Sequence, residues 1–437
     1  MTLRPIQIWG TGSDVGKSII VSGLCRIFKQ DGLSVAPFKA QNMALNSFVT
    51  EDGGEIGRAQ AEQAKASCIP ATTDMNPILL KPTSDRKAQV ILQGKPLGNM
   101  DALKYIKSKL SLFKKVKESY GRLVKKHDLI IIEGAGSPAE INLKKHDIVN
   151  LKMAEYSDAA VLLVGDIDKG GVFASLCGTL ALLTKDERKR IKGFIINKFR
   201  GDKRLLTSGL KFLEKKTGKK VLGVIPYIKD LKIHQEDSVC LDKYYGLKKP
   251  DKKKLINIAV IGLPHMSNFT DFDALENEPC LDLRYVREKH ELENVDVIII
   301  PGTKNTIGDL RYLKTSGIAK TILSKVSNNS KIILIGICGG FQMLGEVIKD
   351  PYSIESSQKE ITGLGLFNMK TTLTKRKKTY QVRAIDTLWG KNISGYEIHH
   401  GKTLKADNLE PRFKITKRQD ASGKFYDGAI SRDRRIW

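Results

Sequence analysis

Gly10-Thr11-Gly12-Ser13-Asp14-Val15-Gly16-Lys17-Ser18 follows the apolar stretch Ile6-Gln7-Ile8-Trp9 and precedes an apolar-periodic run over residues 19–28. Strand, glycine-rich loop and helix in that order are the setting a phosphate-binding loop requires. Backbone N–H groups of the loop, those of Gly10, Gly12 and Gly16 among them, would cradle the β-phosphate of ATP. Lys17 would neutralise β/γ charge, and the Ser18 hydroxyl would ligate Mg2+. Five residues separate Gly10 from Gly16, one more than in the common form of the loop.

Around this loop the first half alternates strand-like and helix-like segments. Residues 35–38, 129–132, 160–164, 193–196 and 221–225 are short apolar runs suited to the buried strands of a doubly wound parallel sheet. An open α/β sheet places its ligands in the turns at the carboxyl ends of its strands. Here those turns hold Lys39-Ala40-Gln41-Asn42-Met43, Glu133-Gly134-Ala135-Gly136, Gly165-Asp166-Ile167-Asp168-Lys169-Gly170-Gly171 and Asn197-Lys198-Phe199-Arg200. A charged, Pro- and Gly-bearing stretch up to Lys254 reads as a linker. The expected division is therefore a phosphate-loop α/β domain over 1–238, a linker over 239–254 and a second α/β domain over 255–437. In that second series, strands are expected at 255–261, 283–286, 295–300 and 331–335. Beyond Leu364 the pattern suggests shorter strands, with Lys375-Arg376-Lys377-Lys378 as a hairpin tip.

The last of those parallel strands runs into Ile335-Gly336-Ile337-Cys338-Gly339-Gly340-Phe341. Strand, tight turn and helix at that point form a nucleophile elbow, which glycines on both sides of Cys338 make sterically possible. A thiol held near a helix N-terminus is expected to have a lowered pKa. The N–H of Gly339 can face a developing oxyanion.

Composition narrows the class. At 437 residues and 41% hydrophobic content the chain can bury at least two cores. Its six cysteines form no C-x-x-C pair, so neither a zinc site nor a disulfide framework is indicated, and reduced thiols in the cytoplasm are expected. The N-terminus enters a strand almost at once, and the longest apolar runs are too short to span a bilayer. The net charge of +26 is spread along the chain, which favours small polyanionic substrates and solvation over nucleic acid or a membrane.

Five longer blocks carry a resemblance. They are Ala36-Pro37-Phe38-Lys39-Ala40-Gln41-Asn42-Met43-Ala44-Leu45-Asn46-Ser47, Gly54-Glu55-Ile56-Gly57-Arg58-Ala59-Gln60, Met75-Asn76-Pro77-Ile78-Leu79-Leu80-Lys81-Pro82, the stretch 163–173 and Gly395-Tyr396-Glu397-Ile398-His399. Together they resemble the cobyric acid synthase family, glutamine-dependent amidotransferases of cobalamin biosynthesis. The loop itself is similar to the dethiobiotin-synthetase-like branch. The resemblance implies an N-terminal P-loop domain and a C-terminal class I glutamine amidotransferase-like domain. It also implies ATP- and glutamine-dependent amidation of the b, d, e and g carboxylates of (adenosyl)cobyrinic acid a,c-diamide, with a corrinoid and L-glutamine as substrates.

On that basis Glu133 matches an acidic Mg2+ ligand, and Lys39, Gln41 and Asn42 face phosphate or corrinoid. Asn197 either contacts adenine or shapes its turn. Asp166 and Asp168 either supply a second carboxylate ligand or order the Gly170-Gly171 turn. Cys338 would form a γ-glutamyl thioester, with the N–H near Gly302 as a second oxyanion donor beside Gly339, because Pro301-Gly302-Thr303 follows a strand as the amidotransferase oxyanion strand does; the thioester requires a base for the thiol proton. The family's histidine for that role falls past the equivalent of Ile436-Trp437. His399 and His400 are the candidates within these residues, although the resemblance assigns His399 to a different motif. Two other readings remain: a cobyrinic acid a,c-diamide synthase, and a P-loop switch ATPase, which would have no use for the cysteine elbow.

Overall fold

The computed structural model describes residues 3–84, 87–229, 231, 254–405, 409–418 and 425–437. The expected linker lies, apart from Lys254, outside them. The first half is built on six parallel strands in the order Lys220–Pro226, Ile191–Phe199, Ala160–Asp166, Ile6–Gly10, Leu129–Glu133, Val35–Phe38. These runs are apolar on both faces because helices cover both. Ile8, Trp9, Ile131 and Phe194 are fully buried within them. The chain order reverses at Ile6–Gly10, the topological switch point, so the Gly10–Gly16 loop opens where ligands of such sheets bind.

A mixed sheet that the alternation of segments had not suggested follows Val35–Phe38, its first pair parallel and the other two antiparallel. Its order is Gln41–Met43, Ile78–Ser84, Lys87–Leu92, Lys95–Asp101, and a hairpin of Ser47–Val49 with Glu55–Gly57 lies beside it. Short strands carrying Lys, Gln and Pro have weak periodicity, which hid them. The chain leaves this sheet through the helix Ala102–Val124, capped by the Asp101 carboxylate, which accepts from Lys104 N at 2.8 Å.

The second half starts with four parallel strands in the order Leu281–Val286, Ile256–Ile261, Val297–Ile300, Ile333–Gly336. Residues Arg435 and Trp437 extend it, with Leu334 N and Gly336 N donating to their carbonyls at 2.9 and 2.8 Å. After this sheet the strands lengthen rather than shorten: Met369–Asp386 pairs antiparallel with Asn392–Lys405. The expected hairpin tip is corrected here. Lys375–Lys378 sits inside the first of these strands, where the register shifts between Leu373 and Lys378, and that irregularity turns Lys377 into the interior. Among the described residues no helix is long and apolar enough to cross a membrane.

Candidate active sites

The loop after Ile6–Gly10 closes onto the helix Lys17–Gln30 through Gly16, whose φ of 97° only glycine adopts without strain. Lys17 folds back over the loop, its Nζ donating to Gly12 O at 2.8 Å and Gly136 O at 3.1 Å. Glu133 ends the adjacent strand with 1% of its surface exposed. It accepts from Ser18 Oγ at 2.9 Å, Lys39 Nζ at 2.8 Å and Gln63 Nε2 at 2.5 Å. Burial alone would raise this carboxyl, but the Lys39 charge and the bonds from Lys39, Gln63 and Ser18 hold it below the usual range.

Asn42 joins the same cluster at one remove, donating to Gln60 Oε1 at 3.0 Å while Gln60 Nε2 lies 3.4 Å from Glu133. Gln41 does not join it. Its Oε1 accepts from Tyr105 at 2.6 Å. Asn197 lies against the phosphate loop and donates to Val15 O at 2.8 Å. Asp166 pairs with Lys198 at 2.7 Å and accepts from Asp168 N, whereas Asp168 pairs with Arg200 at 2.7 Å. Both aspartates are thus engaged in the turn and its cations.

In the second half, Cys338 stands between the strand Ile333–Gly336 and the short helix Gly339–Met343 with φ 50° and ψ −108°, a strained conformation for a residue bearing a side chain. Close packing imposes it. A Cβ on Gly340 would lie 2.0 Å from Ile300 O, and one on Gly302 would lie 3.6 Å from Cys338 Cβ. Gly302 therefore faces the nucleophile from the neighbouring loop. Asp309 pins that loop, accepting from Thr303 Oγ1 at 2.5 Å while lying 2.7 Å from His265 Nδ1. This gives His265, for which the sequence carries no local signal, a place in holding the loop.

Cys338 faces a cavity of about 900 Å³ lined also by Lys81, Lys304, Glu355, Lys377, Tyr396 and His399. Cys338 Sγ lies 3.6 Å from Ile398 O. The expected lowering of its pKa is reversed. Although the residue is open to the cavity, its thiol is deeply walled, and that burial, followed by the Glu355 charge, pushes it up to about 11. The Gly339 N–H and the charges of Lys377 and Lys81 pull the other way without prevailing. A one-turn helix carries too little dipole to reverse the balance. Alkylation of Cys338 in the absence of other ligands should therefore rise about tenfold per pH unit between neutrality and pH 9. A plateau reached by pH 8 would show an activated resting thiol.

His399 is fixed by its own strand, with Nδ1 2.8 Å from Gly401 O and Nε2 3.6 Å from Glu397 Oε2. Sequence reasoning gave no role to the groups that join the two halves. Arg58 reaches Asp271 at 3.0 Å, Tyr396 OH donates to Asp271 at 2.6 Å, and Ser47 N and Phe269 N donate to Asn268 and Asn46 at 2.9 and 3.1 Å. Glu55, fully buried, binds Lys81 at 2.8 Å and also Lys377. A Glu and a Lys embedded in otherwise apolar blocks were the available signal.

A phosphate loop with a buried acid on one half and a cysteine elbow on the other belong to a glutamine-hydrolysing carbon–nitrogen ligase. Residues 6–239 match the CobQ/CobB/MinD/ParA nucleotide binding domain, and residues 257–437 match the CobB/CobQ-like glutamine amidotransferase domain. The chain belongs to the cobyric acid synthase family. It is 51% identical to the cobyric acid synthase of Caldanaerobacter subterraneus subsp. tengcongensis, covering 99% of this chain and 85% of that protein. The cobyric acid synthases of Streptococcus sanguinis and Clostridium novyi are each 51% identical, over 98% and 100% of this chain and 85% of each relative. Among solved structures, the MinD cell division protein of Aquifex aeolicus aligns with a TM-score of 0.30 at 13% identity, over 52% of this chain and 84% of that one, too weak a likeness to carry weight.

Proposed function

We propose that the first half, residues 1–238, holds ATP and Mg2+ and amidates the b, d, e and g carboxylates of (adenosyl)cobyrinic acid a,c-diamide. The second half, from residue 255, releases ammonia from L-glutamine at Cys338. The observation carrying this reading is the presence on one chain of the Ser18–Glu133–Lys39 cluster at the phosphate loop and of the Cys338 elbow. The residues suit the nucleotide. Ser18 and Glu133 offer the hard oxygens that magnesium prefers, with Lys17 and the loop N–H groups placed for phosphate. ATP, when bound, supplies the phosphoryl group that converts a carboxylate, itself a poor electrophile, into an acyl phosphate.

Around that centre, Asn197 steadies the loop through Val15, and Lys39 is poised to exchange its Glu133 contact, and Asn42 its Gln60 contact, for phosphate or corrinoid carboxylate. Gln41, held by Tyr105, is a more distant wall for the corrinoid. At the other site the Cys338 sulfur attacks the glutamine amide to give a γ-glutamyl thioester, with the N–H groups of Gly339 and Gly302 facing the oxyanion. A cytoplasmic setting suits a reduced nucleophile.

The deciding experiment supplies cobyrinic acid a,c-diamide, ATP, Mg2+ and glutamine and follows product mass. Four successive exchanges of a carboxyl OH for NH2 are expected; amidation of cobyrinic acid itself, with the a,c-diamide left untouched, would refute the assignment. His399 is read as a cavity wall, tied to Gly401 and Glu397, and not as the thiol's base. His399→Gln should lower kcat/KM for glutamine by less than about tenfold, whereas loss of a general base costs roughly 10²- to 10⁴-fold.

A further inference from the structure

Tyr105 and Lys109 stand one turn apart on the helix Ala102–Val124, so their side chains share a face. The Tyr105 hydroxyl donates to Gln41 Oε1 at 2.6 Å, which turns the Gln41 amide nitrogen away from the buried ring. Among the described residues that nitrogen has no partner. Lys109 lays its ammonium 5.6 Å from the centre of the Tyr105 ring and forms no ion pair with a described carboxylate. Burial holds the Lys109 amine below the usual lysine range, and Asp147, the acid whose charge reaches it, opposes this only in part. The Asp147 carboxylate is already engaged, accepting from Val149 N and Asn150 N, both at 2.8 Å. A half-buried ammonium and an amide donor therefore flank one aromatic ring with no acceptor between them.

Sheet order decides what they face. Glu133 ends a strand lying between Ile6–Gly10, which leads into the phosphate loop, and Val35–Phe38, which leads to Gln41. The phosphate loop and Asn197 are thus on one side of Glu133, and the Gln41–Tyr105–Lys109 group is on the other. Gln41 comes two positions after Lys39, the residue that reaches Glu133, at most about 7 Å of chain. A ligand that meets both places must be broad and carry anionic groups well apart. The corrinoid, with its several carboxylates, has that shape, whereas a nucleotide whose phosphates fill the loop lies on the far side of Glu133.

We propose that Gln41, Tyr105 and Lys109 form a shelf that holds a carboxylate of the corrinoid other than the one being amidated. The inference rests on the proposed reading of the first half as the site that amidates cobyrinic acid a,c-diamide. Each round brings a different carboxylate to the phosphoryl group, so the others must lie against the surrounding wall. Lys109 Nζ and Gln41 Nε2 donate to the anchored carboxylate, and Tyr105 fixes the placement of both. These residues touch neither the reacting carboxylate nor the phosphoryl group. They position the substrate and select for its charge without entering the chemistry.

The test measures KM for cobyrinic acid a,c-diamide from initial rates with an ammonium salt as nitrogen donor, which leaves Cys338 out of the reaction. Lys109→Met should raise that KM at least about tenfold, because a charge-assisted hydrogen bond to a carboxylate is lost, while kcat and the KM for ATP stay within about twofold. Lys109→Arg should recover most of the loss. A lysine with only a structural role would show neither the split nor the rescue. Gln41→Leu should raise the same KM at least about threefold, and it serves if the lysine variant does not fold. A KM for the a,c-diamide within about twofold of normal in the folded variants, an equal rise in the KM for ATP, or no recovery in Lys109→Arg overturns the shelf. An unaltered chain that amidates cobyrinic acid but leaves its a,c-diamide untouched removes instead the reading on which the shelf rests.

Discussion

Lys17→Ala is expected to abolish ATP-dependent amide formation with either glutamine or an ammonium salt as nitrogen donor. The Lys17 ammonium is the loop's own cation. It reaches Gly12 O and Gly136 O across the space enclosed by the glycine-rich turn, and lies within the first turn of a helix whose N-terminus faces the same space. A cation over the transferring phosphoryl group stabilises the transition state by several kcal/mol, so its loss should lower the rate at least 10²- to 10³-fold. The nitrogen donor is irrelevant to that step, hence the equal loss. The melting temperature should change little, because the apolar side of the helix, with Ile20, Val21 and Cys25, is untouched. Near-normal amidation by the variant would remove the phosphate-loop assignment.

Cys338→Ala separates the halves in the opposite way. Glutamine-dependent amidation should fall below detection, and amidation from ammonium salts should stay within about twofold, because phosphoryl transfer happens beside Glu133 and needs no sulfur. Alanine keeps the Cβ already present at φ 50°, so the strained turn is neither relieved nor worsened. Equal loss with both donors would make Cys338 a structural residue. Loss with neither would move glutamine hydrolysis elsewhere.

Local chemistry made both centres legible in the sequence. Strand-forming runs such as Leu129–Glu133 are apolar because both faces are covered, and glycine positions such as Gly16 and Gly340 are dictated by backbone geometry within a few residues. What escaped is non-local. Lys377 looked like part of a solvated basic tip, yet its partner Glu55 lies 322 positions away. The sign of the Cys338 shift failed for a related reason, since the helix N-terminus is a neighbour in sequence while the enclosing walls and Glu355 are neighbours only in space. The mixed sheet over residues 41–101 was missed because its strands mix Pro, Lys and Gln with apolar residues, leaving neither period dominant.

Lys81, a side chain of the first half, forms part of the wall around the nucleophile of the second. Interchange of halves between relatives is consequently constrained by one buried carboxylate. A donor second half lacking a cation at position 377 would leave Glu55 with Lys81 alone in the interior, and the ion pair that ties this carboxylate to the second half would be lost. Hybrids that keep the Glu55–Lys377 pairing should assemble. Those that break it should hold their halves together less firmly, so the two sites would drift through evolution as a single inherited unit.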